Sequence, residues 1–277
     1  MISHQYPCVE WGILFRPDKE GLPRYPTKEW VIRLSQFSKI NHDGNNPRVR
    51  LAAHLCGSHV NNLLSSCGDS SSAMAIDDFL HQLYKWGFRR VQINATAVNG
   101  VDTTKLGDKI TLQSLLRTIR AHPTLEFIIQ KNDETKPLWS ALLLTKEDGA
   151  GEGGFPTNIV FLHDESKGTG KEVEEGQWPT DPQFVTTSRK TVGYAGGIKP
   201  SNVKSVVVGA GRACALSGGN HFWIDMESGV RTTLLNSDGQ QLDIFDVTKC
   251  FDCIETTCDT VLMDHPTELR LGDSFDD

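Results

Sequence analysis

The sequence predicts an α/β fold, a (β/α) TIM-type barrel, and three observations predict it. Seven short apolar runs recur along the 277 residues. Polar turn residues follow each run, and amphipathic stretches of helical character lie between them. Such alternation argues for a parallel sheet. Seven repeats in a chain of this length favour a closed barrel, typically ~250 residues, over an open doubly wound sheet.

The strand candidates are VEWGILF (9–15), VRLAAHLC (49–56), RVQINA (90–95), EFIIQ (126–130), NIVFLHD (158–164), VGYAG (192–196) and FWIDM (222–226). TKEWVIRLSQF opens on Thr27, a helix N-cap residue, AIDDFLHQLYKWGF stops at Gly87, and TLQSLLRTIRAHP stops at Pro123. Gly44–Pro47, Cys67–Ser72 and the glycine-rich stretch 146–157 read as loops. Seven strands are one short of the usual eight. Either TVLMD (260–264) hides the eighth, or a first βα unit is absent and the N-terminal residues patch the gap. Residues 1–266 are expected to form a single barrel domain and 267–277 an acidic, flexible tail.

Composition narrows the function. The chain is 38% hydrophobic and carries a formal charge of −7, so no basic field invites nucleic acid. No run approaches the ~20 apolar residues of a membrane span. No basic segment with an apolar core opens the chain, and its seven cysteines lack disulfide-framework spacing. A reducing, cytoplasmic setting is expected. Cys250, Cys253 and Cys258 read as faces of a terminal helix; a zinc site would want a second CxxC or paired histidines. No metal or cofactor is signalled, and the oligomeric state is not legible.

In a parallel barrel the chemistry lies at the C-terminal ends of the strands. That rule selects Arg24, His54, Cys56, Gln92, Asn94, Lys131, Asp164, the Gly196–Gly197 pair and Asp225 through Gly229. Strand alternation puts His54 with Cys56, and Gln92 with Asn94, on common faces. Asp164 ends an apolar strand, where a carboxyl group can be raised in pKa to act as an acid; the plainer reading is a turn or helix cap. The GTGK that follows lacks the spacing of a nucleotide-binding loop. Gly196 and Gly197 stand where a strand hands over to a helix opened by Pro200 and Ser201, an arrangement suited to a phosphate or to an ordinary βα turn. The loop ESGVR (227–231) would form the opposite wall, with Ser228 and Gly229 opening a short helix.

Taken together, several of these segments resemble phosphoribosylanthranilate isomerase. They are FLHD with KGTGK and Trp178, YAGGIKPSNV, IDMESGVR, GILF running into LPRYP, and VQINA. The resemblance spans roughly Val9 to Arg231 and implies a ribulose-phosphate-binding barrel catalysing an Amadori rearrangement. It implies Asp164 as general acid, Arg24 as the partner of a substrate carboxylate, and the backbone of Gly196, Gly197, Ser228 and Gly229 as the phosphate site. His54, Gln92 and Asn94 are expected to bind substrate. The family's base, a cysteine of a first K-I-C-G strand, has no counterpart, because only eleven residues precede GILF. Asn94 replaces a family histidine, and Glu227 replaces a serine. Cys56 of HLCG is either a relocated base tuned by His54 or a small buried hydrophobe. The expected partner is a small phosphorylated substrate or ligand. Two alternatives stay open: a non-catalytic relative that binds a phosphate ligand, and a phosphosugar epimerase or aldolase using Lys131.

Overall fold

A computed structural model describes residues 2–40, 49–147, 155–164, 178–182, 191–235 and 237–264. All seven apolar runs are strands, within two residues of expectation: β1 (Glu10–Phe15), β2 (Arg50–Leu55), β3 (Arg90–Ile93), β4 (Glu126–Lys131), β5 (Ile159–Asp164), β6 (Thr191–Ala195) and β7 (His221–Asp225). They form one parallel sheet in chain order. The helices are α1 (Ile2–Gln5), α2 (Lys28–Ile40), α3 (Ser58–Ser65), α4 (Ser70–Lys85), α5 (Lys109–Ala121), α6 (Lys136–Glu147), α7 (Val203–Leu216) and α8 (Val247–Asp264). Local chemistry sets their ends. Thr27 Oγ1 accepts a hydrogen bond from Trp30 N at 3.2 Å to open α2, and the Asp69 carboxylate caps α4 through Ser71 and Ser72. The GTGK turn, the Gly44–Pro47 loop, residues 148–154 of the glycine-rich stretch and the acidic tail lie outside the described residues.

The sheet curls. One side chain demonstrates it: the Arg90 guanidinium on β3 reaches Glu10 on β1 at 3.0 Å and Glu126 on β4 at 2.7 Å. It also lies 4.2 Å over the Trp223 ring on β7. A flat sheet would hold β3 and β7 four strands apart, near 19 Å at roughly 4.8 Å per strand. The architecture is therefore α/β with a curled seven-stranded parallel sheet, compatible with a TIM-like barrel. Among the described residues β1 and β7 share no backbone ladder. Near β1, side chains of the N-terminal segment meet the strand Gln241–Phe245 and α8. Trp11 meets Phe245 edge to face at 6.0 Å, Tyr6 meets Phe251 at 6.1 Å, and Trp11 Nε1 donates to Ser3 Oγ at 2.8 Å.

The outer face of the sheet carries the core. Leu55, Val91, Phe127, Ile159 and Phe161 pack there with Leu80, Leu83, Leu115 and Leu142 from the helices. Each such side chain contributes about 1.5–3 kcal/mol on burial. The inner face is mixed, with an apolar layer of Ile128, Val160, Leu162, Ala195 and Trp223 among polar side chains. A second cluster joins Val192 and Tyr194 to α7 and α8, and Trp11 and Val9 pack against it.

Two expectations are corrected. TVLMD is not an eighth strand; it is the end of α8, whose Cys250, Cys253 and Ile254 recur at helical spacing and are buried. The segment after β7 forms an antiparallel hairpin, β8 (Arg231–Leu235) with β9 (Gln241–Phe245). The N-terminal Ile2, Tyr6 and Val9 pack against the cluster that joins β6 to α7 and α8. No helix among the described residues is long and apolar enough to cross a membrane.

Candidate functional site

Alternation along the strands sorts the interior into a floor and a mouth. At the floor, the Arg90 guanidinium binds Glu10 and Glu126 and stacks on Trp223. Small residues admit the large ones. A methyl group on Gly12 would fall 2.6 Å from His54 Nε2, so the imidazole lies across β1. A methyl group on Gly193 would collide with the Trp223 ring and fall 2.7 Å from Leu162 Cδ1. Ile128, Val160, Leu162 and Ala195 pack with Trp223 between floor and mouth.

The mouth begins one residue pair further along each strand. Gln92 Nε2 donates to Asn94 Oδ1 at 2.9 Å, and Asn94 Nδ2 contacts Cys56 Sγ at 3.4 Å. Cys56 Sγ in turn faces Asn99 Oδ1 at 3.7 Å. Burial pushes the Cys56 thiol up to about 11, only partly offset by Asn94. Its thiolate fraction at pH 7 is on the order of 10⁻⁴. The structure thus gives Cys56 the environment of a structural thiol.

Across the opening, Gln130 Nε2 donates to Asp164 Oδ2 at 3.1 Å. Gln130 and Asp164 are 5% and 4% exposed. The other end of that amide, Gln130 Oε1, is buried and has no hydrogen-bond partner among the described residues. Asp225 completes the group from β7. Burial raises its carboxyl pKa; the charges of Glu227 and Asp164 add to the rise, and His54 and Arg90 oppose it. By exposed surface Asp225 is only partly buried. His163, beside Asp164 in sequence, points to the outer face and stacks on Tyr194 at 5.4 Å; burial pushes its pKa down to about 3. Lys131 is also outside, paired with Asp181 at 3.3 Å.

Arg24, in the loop after β1, takes a left-handed backbone conformation with φ 78°. Its guanidinium pairs with the Glu227 carboxylate and approaches Asp243 at 3.9 Å. The loops at Gly196–Gly197 and Glu227–Arg231 come together. Gly196 and Gly197 have φ of 142° and 60°, conformations that favour glycine. Asn202 fixes the loop, donating from Nδ2 to Gly197 O at 3.0 Å and accepting from Lys199 N at 2.8 Å. Gly229, in the single turn Ser228–Val230, presses on this loop: a methyl group there would collide with the Ile198 carbonyl and fall 2.8 Å from Lys199 Cβ. The glycine in ESGVR is therefore required by backbone contact between the two loops.

The sequence placed Asp164, His54, Gln92, Asn94 and Cys56 at the strand ends, where the structure has them. It missed Gln130, whose signal was a polar side chain closing the apolar run EFIIQ. A separate cleft of about 280 Å³, lined by Asn61, Leu64, Asp102, Lys105 and Thr111, lies outside the sheet. Its charges, Lys105 and Asp102, already pair at 3.9 Å, so the mouth is the stronger site. The chain matches no protein-family model and no curated protein.

Proposed function

We infer that this chain binds a phosphorylated sugar adduct, an N-glycosylamine, at the barrel mouth and isomerises it by an Amadori-type, aldose-to-ketose reaction, as the resemblance to phosphoribosylanthranilate isomerase implies. The carrying observation is the backbone contact of Gly229 with the Ile198–Lys199 loop, next to Gly196 and Gly197 and to the carboxyl groups of Asp164 and Asp225. Those two loops hold the phosphate through backbone amides. Asp164 protonates the ring oxygen, the C1–O bond breaks, and the nitrogen lone pair forms a cationic imine. Removal of the C2 proton then gives the enol-amine, whose tautomer is the ketose, so one proton enters and one leaves. Asp225 is the better base than Cys56, whose thiol burial pushes up to about 11. One observation favours a second, non-catalytic reading: the Cys56 thiol is locked in a side-chain chain with Asn94 and Asn99.

Thermal unfolding with and without ribulose 5-phosphate tests the binding. At ~100 times its dissociation constant a ligand of the folded state adds about 2.7 kcal/mol. The shift is expected in the wild type and absent in Gly197→Asp. Turnover of a 5-phosphoribosylamine adduct is expected to vanish in Asp164→Asn. Binding without turnover in the wild type selects the non-catalytic reading, and no shift with any sugar phosphate removes both.

A further inference from the structure

We propose that the ligand's end distal to the phosphate carries hydroxyl or amino donors and no carboxylate. The inference rests on the phosphosugar reading above and specifies its substrate class. Its ground is an imbalance of acceptors and free cations. At the mouth, Gln130 Oε1 is buried and unpartnered among the described residues, on the strand face whose Ile128 packs in the interior. The amide cannot turn around to satisfy it, because Nε2 is committed to Asp164 Oδ2. A buried acceptor left without a donor is costly, and a ligand hydroxyl or amine supplies one. Asp164 and Asp225 are acceptors too when ionised.

Among the described residues the guanidinium groups of the rim are already engaged. Arg24 holds Glu227 and Asp243. Arg16 holds Asp18 at 3.2 Å and donates to Val98 O at 3.0 Å. Below, Arg90 is shared by two carboxylates. A carboxylate on the ligand would therefore have to displace Glu227 from Arg24, and it would enter an interior already holding the Asp164 and Asp225 carboxyl groups. Like charges at that range repel strongly where water is scarce. A neutral or cationic head meets no such barrier.

Calorimetric titration with a matched pair decides the matter: 1-anilino-1-deoxyribulose 5-phosphate, and the same compound with an ortho-carboxylate. The uncarboxylated probe is expected to bind the wild type at least tenfold more tightly. Glu227→Gln, which loosens the hold on Arg24, is expected to shrink that preference at least threefold. Gln130→Leu is expected to weaken ribulose 5-phosphate about tenfold, with circular dichroism confirming the fold. Equal or tighter binding of the carboxylated probe to the wild type overturns the inference and leaves the phosphosugar reading standing. Unchanged ribulose 5-phosphate binding in a folded Gln130→Leu protein overturns the role of Gln130. Binding of neither probe and of no ribulose 5-phosphate overturns both inference and reading.

Discussion

The floor and the mouth of the curled sheet use the same strands and the same polar chemistry, yet they are finished differently. At the floor every charge is answered: Arg90 binds Glu10 and Glu126 and covers its remaining face with Trp223. At the mouth, further along the same strands, Gln130 Oε1 has no partner among the described residues and Asp225 has its carboxyl pKa raised by burial among other acids. Buried polar groups normally find partners. A chain selected only to plug its interior would have completed both layers. The floor therefore reads as architecture and the mouth as a site. The difference also explains why the floor can be charged at all: ions in a closed, mutually bonded set hold strands β1, β3, β4 and β7 in one register.

That contrast is broken most severely from the floor. Arg90→Ala leaves Glu10 and Glu126 facing each other without a cation and uncovers Trp223. Removing one partner of a fully buried ion pair costs about 3–5 kcal/mol; these side chains are 13–24% exposed, so urea unfolding should show a loss of about 3 kcal/mol. A loss under 1 kcal/mol would mean the floor is solvated and is not a structural layer. Arg90→Met should cost as much as Arg90→Ala, since the defect is the unpaired carboxylates and lost packing is secondary. Next in size is Gly229→Ala. The added methyl collides with backbone, at the Ile198 carbonyl, which cannot rotate away as a side chain would. Overpacking of this kind costs about 1–3 kcal/mol. The two loops must part, so the thermal shift with ribulose 5-phosphate should disappear as well. Retained binding would separate the loop contact from the phosphate site.

The unequal legibility of floor and mouth in the sequence has physical causes. All seven strands were readable because each is a short apolar run closed by polar residues; Ile159–Asp164 is buried along its whole length, as a parallel strand covered on both faces must be. TVLMD was ambiguous, since a run of five apolar-rich residues suits a strand or a helix end alike. The β8–β9 hairpin had a signal that was passed over, the Asp238–Gly239 pair between two alternating runs. Glycines 196, 197 and 229 were legible as loop residues, but the pressure of Gly229 on Ile198 is a tertiary distance that no spacing encodes. The floor was invisible for the same reason. Glu10, Arg90 and Glu126 each begin a strand and look like ordinary solvent charges, until the register pairs Arg90 with Glu126 and the curl brings in Glu10.

The mildest test is also the one whose sign is least intuitive. Burial raises the Asp225 carboxyl pKa, with Glu227 and Asp164 adding to the effect. In the window between the ordinary carboxylate value near 4 and the raised folded value, the folded state binds more protons than the unfolded state. Stability attributable to this group therefore falls as pH rises through that window, and the deficit is complete above it. Asp225→Asn removes the titration while keeping the shape, so it should be more stable than the wild type at pH 7.5. That advantage should shrink as the pH is lowered toward 4, and urea unfolding of both proteins across this range measures it. An advantage independent of pH would show that Asp225 does not titrate in a shielded place, and the mouth would lose its acid–base partner for Asp164. The expected pattern, stabilisation joined to loss of turnover, is the one left when a strained functional group is replaced by a neutral copy of itself.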